Sequence, residues 1–314
     1  MKLGLFPAAL TLLACSHAPP APQPVPARGP SRDSLLASDV ERTATVRARG
    51  AVAGSVEWLR SDVVYLRAGA PALRGIDAAR ALIADTVDVP PTVAWQPLGG
   101  DLSADRRAGY TFGVAARTLG NDSVSVERYI AFWKRDGGGA PWRIAAYVEV
   151  ASPFRTNAVT DASAALPQSF TTSPRDPTTR THGLLALMGA DSAFSDLADR
   201  IGVGTAFANT VAPEGAVFAG TELVVGPKAV RDFYASRDAA MGLAWHPIYA
   251  DIAASSDLGF TIGQYISTGR GPTGAASQTF GKYMTVWQRQ PDGSWKFVVD
   301  GGNPNPPPRA ELRR

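Results

Sequence analysis

The sequence is poor in the side chains that most often announce chemistry. Its 314 residues include one cysteine, Cys15, and three histidines, His17, His182 and His246. A lone cysteine excludes an intrachain disulfide, and scattered histidines form no clustered metal site, so no metal and no cofactor is expected. HExxH, CxxC, a GxSxG elbow and a P-loop are all missing, and no GxGxxG stands at a strand-to-helix junction. Gly137-Gly138-Gly139 is read in a hairpin turn and is therefore no phosphate cradle. Charged residues make up 19% and the formal net charge is +3. The basic residues are scattered among acids rather than interleaved with aromatics, so nucleic acid is not an expected partner. Apolar residues, at 45%, are ordinary for a chain that buries cores, and the length suits two domains.

The only notable apolar run is at the start. Met1-Lys2 precedes a mostly apolar stretch from Leu3 to Ala14, too short for the ~20 residues of a membrane span but suited to a signal peptide. Leu12-Leu13-Ala14-Cys15 resembles a bacterial lipobox, which implies a signal peptide over 1–15 and lipidation of Cys15. Ser16 after the cysteine agrees with delivery to the periplasmic face of the outer membrane in a Gram-negative cell. Residues 16–32 are rich in Pro and Ala, a composition that forms neither helix nor ladder and serves as an extended tether. The expected address is the cell envelope, with the membrane contacted through a lipid anchor alone.

What the chain does have is a strong hairpin, stated twice. In Gly281–Asp300 two runs rich in Tyr, Val, Trp and Phe flank Pro291-Asp292-Gly293-Ser294. Pro presets the first corner and Gly accepts the positive φ that closes the turn. Arg128–Arg135, a glycine-rich turn and Trp142-Arg143-Ile144 repeat the plan. Further pairs follow at a spacing of about 150 residues, as in a domain-scale duplication. Gly75–Arg80 matches Gly226–Arg231, Ala94-Trp95-Gln96-Pro97 matches Ala244-Trp245-His246-Pro247, and Gly109–Gly113 matches Gly259–Gly263. Asp39 answers to Asp191, Asp101 to Asp251, Trp133 to Trp287 and Trp142 to Trp295.

Each copy reads as helices, a strand, a short helix and four strands. In the first, Leu35, Leu36, Val40, Thr43, Val46 and Arg47 approximate one helical face, and Val52, Val56 and Leu59 a second. The expected domains are 33–150 and 182–303, joined by a linker over 151–181 and followed by a Pro-rich tail over 304–314. On Trp295–Asp300, strict alternation predicts Trp295, Phe297 and Val299 on one face and Lys296, Val298 and Asp300 on the other.

At these residues, chiefly the Gly226–Tyr234 helix opener, Ala244–Pro247 and Gly281–Asn303, the chain resembles the nuclear transport factor 2-like superfamily, and within it the SnoaL-like and domain-of-unknown-function 4440 families. The resemblance implies an α+β fold: two cone-shaped domains, each a curved antiparallel sheet wrapped around helices, packed as an intrachain pseudodimer. It also implies a mostly apolar pocket for a small organic molecule, which binds in one or both cones. One alternative is a cofactor-free isomerase or dehydratase in the second domain; another is a protein-interaction platform without ligand.

The candidate catalytic residues are His246, which titrates near neutral pH, and Asp300, which needs burial to act as a base. The candidate ligand contacts are His246, Tyr265, Tyr283, Asp300, Tyr65 and Tyr129. Trp245 and His246 point to opposite sides of their strand. With Trp245 assigned to the intersheet face, His246 is expected to line the cavity as a polar contact. The tryptophans are read as core and intersheet packing, and Asp101 and Asp251 as organisers of turns.

Overall fold

The computed structural model of the chain describes residues 30–85, 93–118, 124–137, 139–154, 180–219, 222–235, 242–270 and 273–306. Cys15 and residues 16–29 of the tether lie outside the described residues, as do 155–179 of the linker and 307–314 of the tail.

The first domain runs α1 (Arg32–Arg49), α2 (Ala51–Val56), β1 (Leu59–Leu66), β2 (Leu73–Arg74), α3 (Ile76–Ala84), β3 (Val93–Leu102), β4 (Ala108–Thr118), β5 (Val124–Lys134) and β6 (Arg143–Phe154). The second repeats the order as α4 (Arg180–Ile201), α5 (Val203–Thr210), β7 (Val211–Ala219), β8 (Glu222–Val225), α6 (Pro227–Ala235), β9 (Gly242–Ile252), β10 (Leu258–Arg270), β11 (Ala276–Arg289) and β12 (Trp295–Asn305). Each sheet has six strands, in the orders β2-β1-β6-β5-β4-β3 and β8-β7-β12-β11-β10-β9. The sheets are mixed rather than wholly antiparallel, because β1 pairs with β6 and β7 with β12 in parallel. The fold is α+β: two cones, each a curved sheet around its helices. Among the described residues no helix is long and apolar enough to cross a membrane.

Several local reasons for these elements are visible. Ser31 caps α1, its hydroxyl accepting from the Ser34 amide while Ser34 returns a bond to the Ser31 amide. The α1 face that goes inside is Leu35, Asp39, Arg42 and Val46. This corrects the apolar face expected from the sequence, since Val40 is half exposed. A buried ion pair, not apolar spacing alone, sets the helix rotation. The hairpin turn closes as expected, with the Gly293 amide on the Gln290 carbonyl and Gly293 at φ +94°.

A bulge revises the face assignment on β12. Val286 pairs with Val299 and Trp287 with Phe297, which leaves Val298 as an extra residue. Phe297 therefore packs among the helices while Val298 and Val299 both enter the core between the two sheets. Strict alternation fails there, and Asp300 turns into the cone together with Phe297. The first copy carries the same device at Ala145, so Tyr147 occupies the inward position that Asp300 holds in the second.

The outer faces of the sheets meet. Tyr110, Phe112, Ile130 and Phe132 from one domain share a core with Phe260, Ile262, Met284 and Val286 from the other. The Phe132 and Phe260 rings are 4.8 Å apart. Fully burying one such side chain stabilises by ~1.5–3 kcal/mol, so this shared core is a substantial part of the fold. Polar contacts at the rim are reciprocal. The Ala104 amide donates to Asp257 at 2.9 Å, and the Ser255 amide to Asp105 at 3.1 Å. Buried Lys282 reaches the Arg67 carbonyl at 2.6 Å, and Arg128 reaches the Glu222 carbonyl at 3.0 Å.

Candidate functional site

The two cones are built alike and filled differently. In the first, a buried network occupies the interior. Arg42 pairs with Asp39 at 2.8 Å and lies over the Trp95 ring, 4.1 Å from its centroid. Tyr129 donates to the other Asp39 oxygen at 2.5 Å, and the Trp95 indole donates to the Tyr147 hydroxyl at 3.0 Å. Tyr147 stacks between Tyr65 and Tyr129, at 5.1 and 5.8 Å. Tyr65 in turn donates to Glu149 at 2.7 Å. Burial drives the Tyr65, Tyr129 and Tyr147 hydroxyls above their ordinary range, so none of them ionises near neutral pH. The sequence expectation made Tyr65 and Tyr129 ligand contacts; the structure buries both inside this network.

In the second cone the charged member is replaced by an aromatic one, and other members by smaller ones. Phe194 stands three residues after Asp191, where Arg42 stands three after Asp39. Tyr65 pairs with Tyr147 across β1 and β6, whereas Val217 pairs with Asp300 across β7 and β12. Gly302 takes the place of Glu149. The result is a cavity of about 600 Å³. Its walls include Phe194, Phe207, Phe233, Trp245, Tyr265 and Tyr283, and Val150 of the first domain reaches its rim.

Two glycines make room for the tyrosines. A Cβ on Gly263 would lie 2.3 Å from the Tyr283 hydroxyl, and one on Gly281 would lie 2.2 Å from the Tyr265 ring. Position 127, which pairs with Ala115 as Gly281 pairs with Tyr265, is Glu in the first copy, where no ring needs the space.

Asp300 is a titratable group of the cavity wall. Burial pushes its carboxyl up to about 7, with the Thr285 hydrogen bond opposing and the Asp191 charge adding to the rise. Thr285 donates to Asp300 Oδ1 at 2.5 Å. At neutral pH both protonation states are populated, so this group can accept or deliver a proton or face a cation. Deeper in, Asp191 Oδ1 accepts from the Trp245 indole and Oδ2 from the Tyr283 hydroxyl, both at 2.9 Å. Burial raises the Asp191 carboxyl too, against hydrogen bonds from Thr261, Tyr283 and Trp245. Tyr283 thus directs its proton at Asp191, and its hydroxyl is pushed upward by burial and by that neighbouring charge.

The structure brings Tyr265, Tyr283 and Asp300 together on the cavity wall and leaves His246 out. His246 is exposed and pairs with exposed Gln264 on the outer side of the sheet. The cause is the orientation of Trp245. Its indole reaches Asp191 on α4, so Trp245 faces into the cone and alternation sends His246 outward. Both the contact role and the catalytic role expected for His246 are therefore corrected. Asp251 is also more than a turn organiser, since it ion-pairs with Lys134 of the first domain and, at 2.5 Å, with Arg180. Among the described residues no group of three or more His, Cys, Asp or Glu could hold a metal ion.

The residues that sequence reasoning passed over are Asp191, Trp245 as a cavity wall, Thr285 and Glu222 at the rim. One signal could have found Asp191. It is the carboxylate that both copies keep on the first helix, at a spacing that points it inward with Leu187 and Phe194.

No family model matches the chain, and no curated protein matches it. Among solved structures it is similar to a ketosteroid isomerase-like protein from Erwinia carotovora atroseptica, at 18% identity over 38% of this chain and 95% of that one, with a TM-score of 0.34. It is also similar to a nuclear transport factor 2-like protein of unknown function from Pseudomonas putida, at 16% identity over 41% and 90%, with a TM-score of 0.33. A third is a nuclear transport factor 2-like protein with a cystatin-like fold from Novosphingobium aromaticivorans, at 16% identity over 38% and 80%, with a TM-score of 0.31. These likenesses concern the fold.

Proposed function

We propose that the second domain binds one small, largely apolar organic molecule inside its cone, and that the first domain is its structural partner. The observation that carries this reading is the contrast of interiors: a cavity of about 600 Å³ in the second cone, against a packed Arg42–Tyr147 network in the first. Apolar walls with a few converging polar groups are the usual make-up of a small-molecule site. The two domains act as an intrachain pair, with the shared sheet core holding the rim of the cavity in shape. A lipid on Cys15 holds the pair at the cell envelope, and mass spectrometry of the membrane fraction should find an acylated Cys15. An unmodified Cys15 in the mature chain would remove the anchor from the account.

Calorimetry with neutral biaryl alcohols tests the binding. One site per chain is expected, and Asp300→Tyr, which restores the first-copy residue, should abolish it. Unchanged binding in that variant would contradict the assignment.

The raised Asp300 carboxyl favours a second reading, a cofactor-free isomerase or dehydratase step. The Asp300 carboxylate would take a proton from the carbon next to a carbonyl and return it, with no redox change. Exchange of the α-protons of 4-phenylcyclohexanone in D₂O, followed by NMR, should then be accelerated by the protein and not by Asp300→Asn. Equal exchange with both proteins would leave binding alone.

A further inference from the structure

The geometry points to a lipophilic amine as the ligand class of the second cone, its ammonium on the Asp300 carboxylate and its apolar body against the aromatic wall. This inference rests on the binding reading above and specifies the charge that the site selects.

Three observations carry it. The first is the charge inventory. Asp300 lines the cavity and Glu222 stands at its rim, while none of the described residues lining it is Lys, Arg or His. The groups facing Asp300 are Thr285, which donates to it, the Asp191 carboxyl, and the rings of Tyr265 and Tyr283. Glu222 has Arg128 nearby, which donates to its carbonyl from outside the lining. Among the described residues of the lining an anionic ligand would meet the Asp300 carboxylate with no Lys, Arg or His beside it, while Arg128 offsets Glu222 from outside the lining.

The second is the comparison within the chain. The first cone keeps its inner carboxylate, Asp39, beside a guanidinium that lies over Trp95 and 5.9 Å from the Tyr129 ring centroid. The second cone keeps the carboxylate as Asp191 and the rings as Trp245 and Tyr283, yet carries Phe194 where the cation was. It then adds another carboxylate at 300. One copy holds its cation covalently. The other has lost the cation, gained an acid and opened a cavity.

The third is the wall itself. Aromatic faces attract a cation through their ring quadrupoles, most strongly where water is excluded. Trp245, Tyr265 and Tyr283 share the cavity with Asp300 and supply such faces. A carboxylate in an apolar cavity is costly alone and is offset by a paired cation, so an ammonium gains both the charge and the rings.

The test compares three compounds of one skeleton by calorimetry at pH 7.5: 4-phenylbenzylamine, 4-phenylbenzyl alcohol and 4-phenylbenzoate. The amine should bind at least tenfold more tightly than the alcohol, and the benzoate at least tenfold more weakly than the alcohol. In Asp300→Asn the preference for the amine over the alcohol should fall below threefold. The parent protein alone decides the first comparison, so a poorly folding variant does not block the test. Alcohol binding as tightly as amine, or an amine preference that survives Asp300→Asn, overturns the amine assignment and leaves the binding reading standing. No binding of any of the three overturns both.

Discussion

Among the described residues the first cone is filled by a buried network and the second holds a cavity, although the backbone plan is the same. Both copies bulge at the same point of their last strand, and both place a Trp and a Tyr around an acid on the first helix. The difference comes down to side-chain volume at a few inward positions, where Val217, Asp300 and Gly302 replace Tyr65, Tyr147 and Glu149. A duplicated domain can keep one copy as a rigid support and hollow the other, because the cone closes around whatever fills it. The support is not passive, since its outer sheet face forms half of the shared core and its Val150 reaches the cavity rim.

The largest expected break in this comparison is at Arg42. Arg42→Met leaves Asp39 buried without its cation, which should cost about 3–5 kcal/mol in urea unfolding. Adding Asp39→Asn should recover most of the loss. A single variant within about 1 kcal/mol of the parent would mean that the pair does not hold the first cone together.

A smaller break targets the second cone. Gly281→Ala puts a methyl 2.2 Å from the Tyr265 ring, so the ring must move. Overpacking of this kind costs about 1–3 kcal/mol, and ligand affinity should fall with it. Unchanged stability and affinity would show that Tyr265 has no fixed place in the wall.

How much of this could be read from the chain varies with the physics. The hairpin at Gly281–Asp300 was legible because turn chemistry is local, and the duplication because Trp, Gly and Pro recur together. Parity on β12 was not. Phe297, Val298 and Val299 are all apolar, so nothing in their pattern marks the extra residue. His246 was misplaced for a related reason: Trp245 suits either face, and only its bond to Asp191 decides between them. Asp39 was matched to Asp191 without an inward role, and Arg42 was passed over, because apolar spacing favours Val40, which the structure exposes. Pairing partners distant in sequence decided each of these cases.

The pH dependence sharpens the comparison further. Asp300 in the folded chain titrates near 7, above an ordinary aspartate. Between about pH 4 and 7 the folded protein holds a proton that the unfolded chain releases, so this group makes stability fall as pH rises and then level off. Asp191 and Glu149 are shifted the same way, so the difference between the parent and Asp300→Asn isolates the one site. Asp300→Asn should be more stable than the parent by roughly 1–3 kcal/mol at pH 8, discounted for solvent in the cavity, and equal to it near pH 4. Tyr147→Phe at the matching position should show no such slope difference. A parent and an Asp300→Asn variant that run parallel from pH 4 to 8 would place Asp300 in water rather than in an apolar wall.

The smallest effect concerns the seam. Lys282, lowered to about 8 by burial, and Arg128, lowered to about 10, each cross to a carbonyl of the other domain. Replacing either by Met should cost about 1.5 kcal/mol, the low end for hydrogen bonds from a charged donor because the buried charge is removed with them, with neither domain unfolding separately. Two separate unfolding transitions in either variant would show that the seam depends on these cations more than on the shared core.

The most direct test of the hollow and solid cones is crystallographic. Crystals soaked with 4-phenylbenzylamine should show one molecule per chain, inside the second cone among Trp245, Tyr265 and Asp300, with the first cone unchanged. Density for the compound inside the first cone, or a second cone left empty while the compound sits elsewhere, would contradict the account.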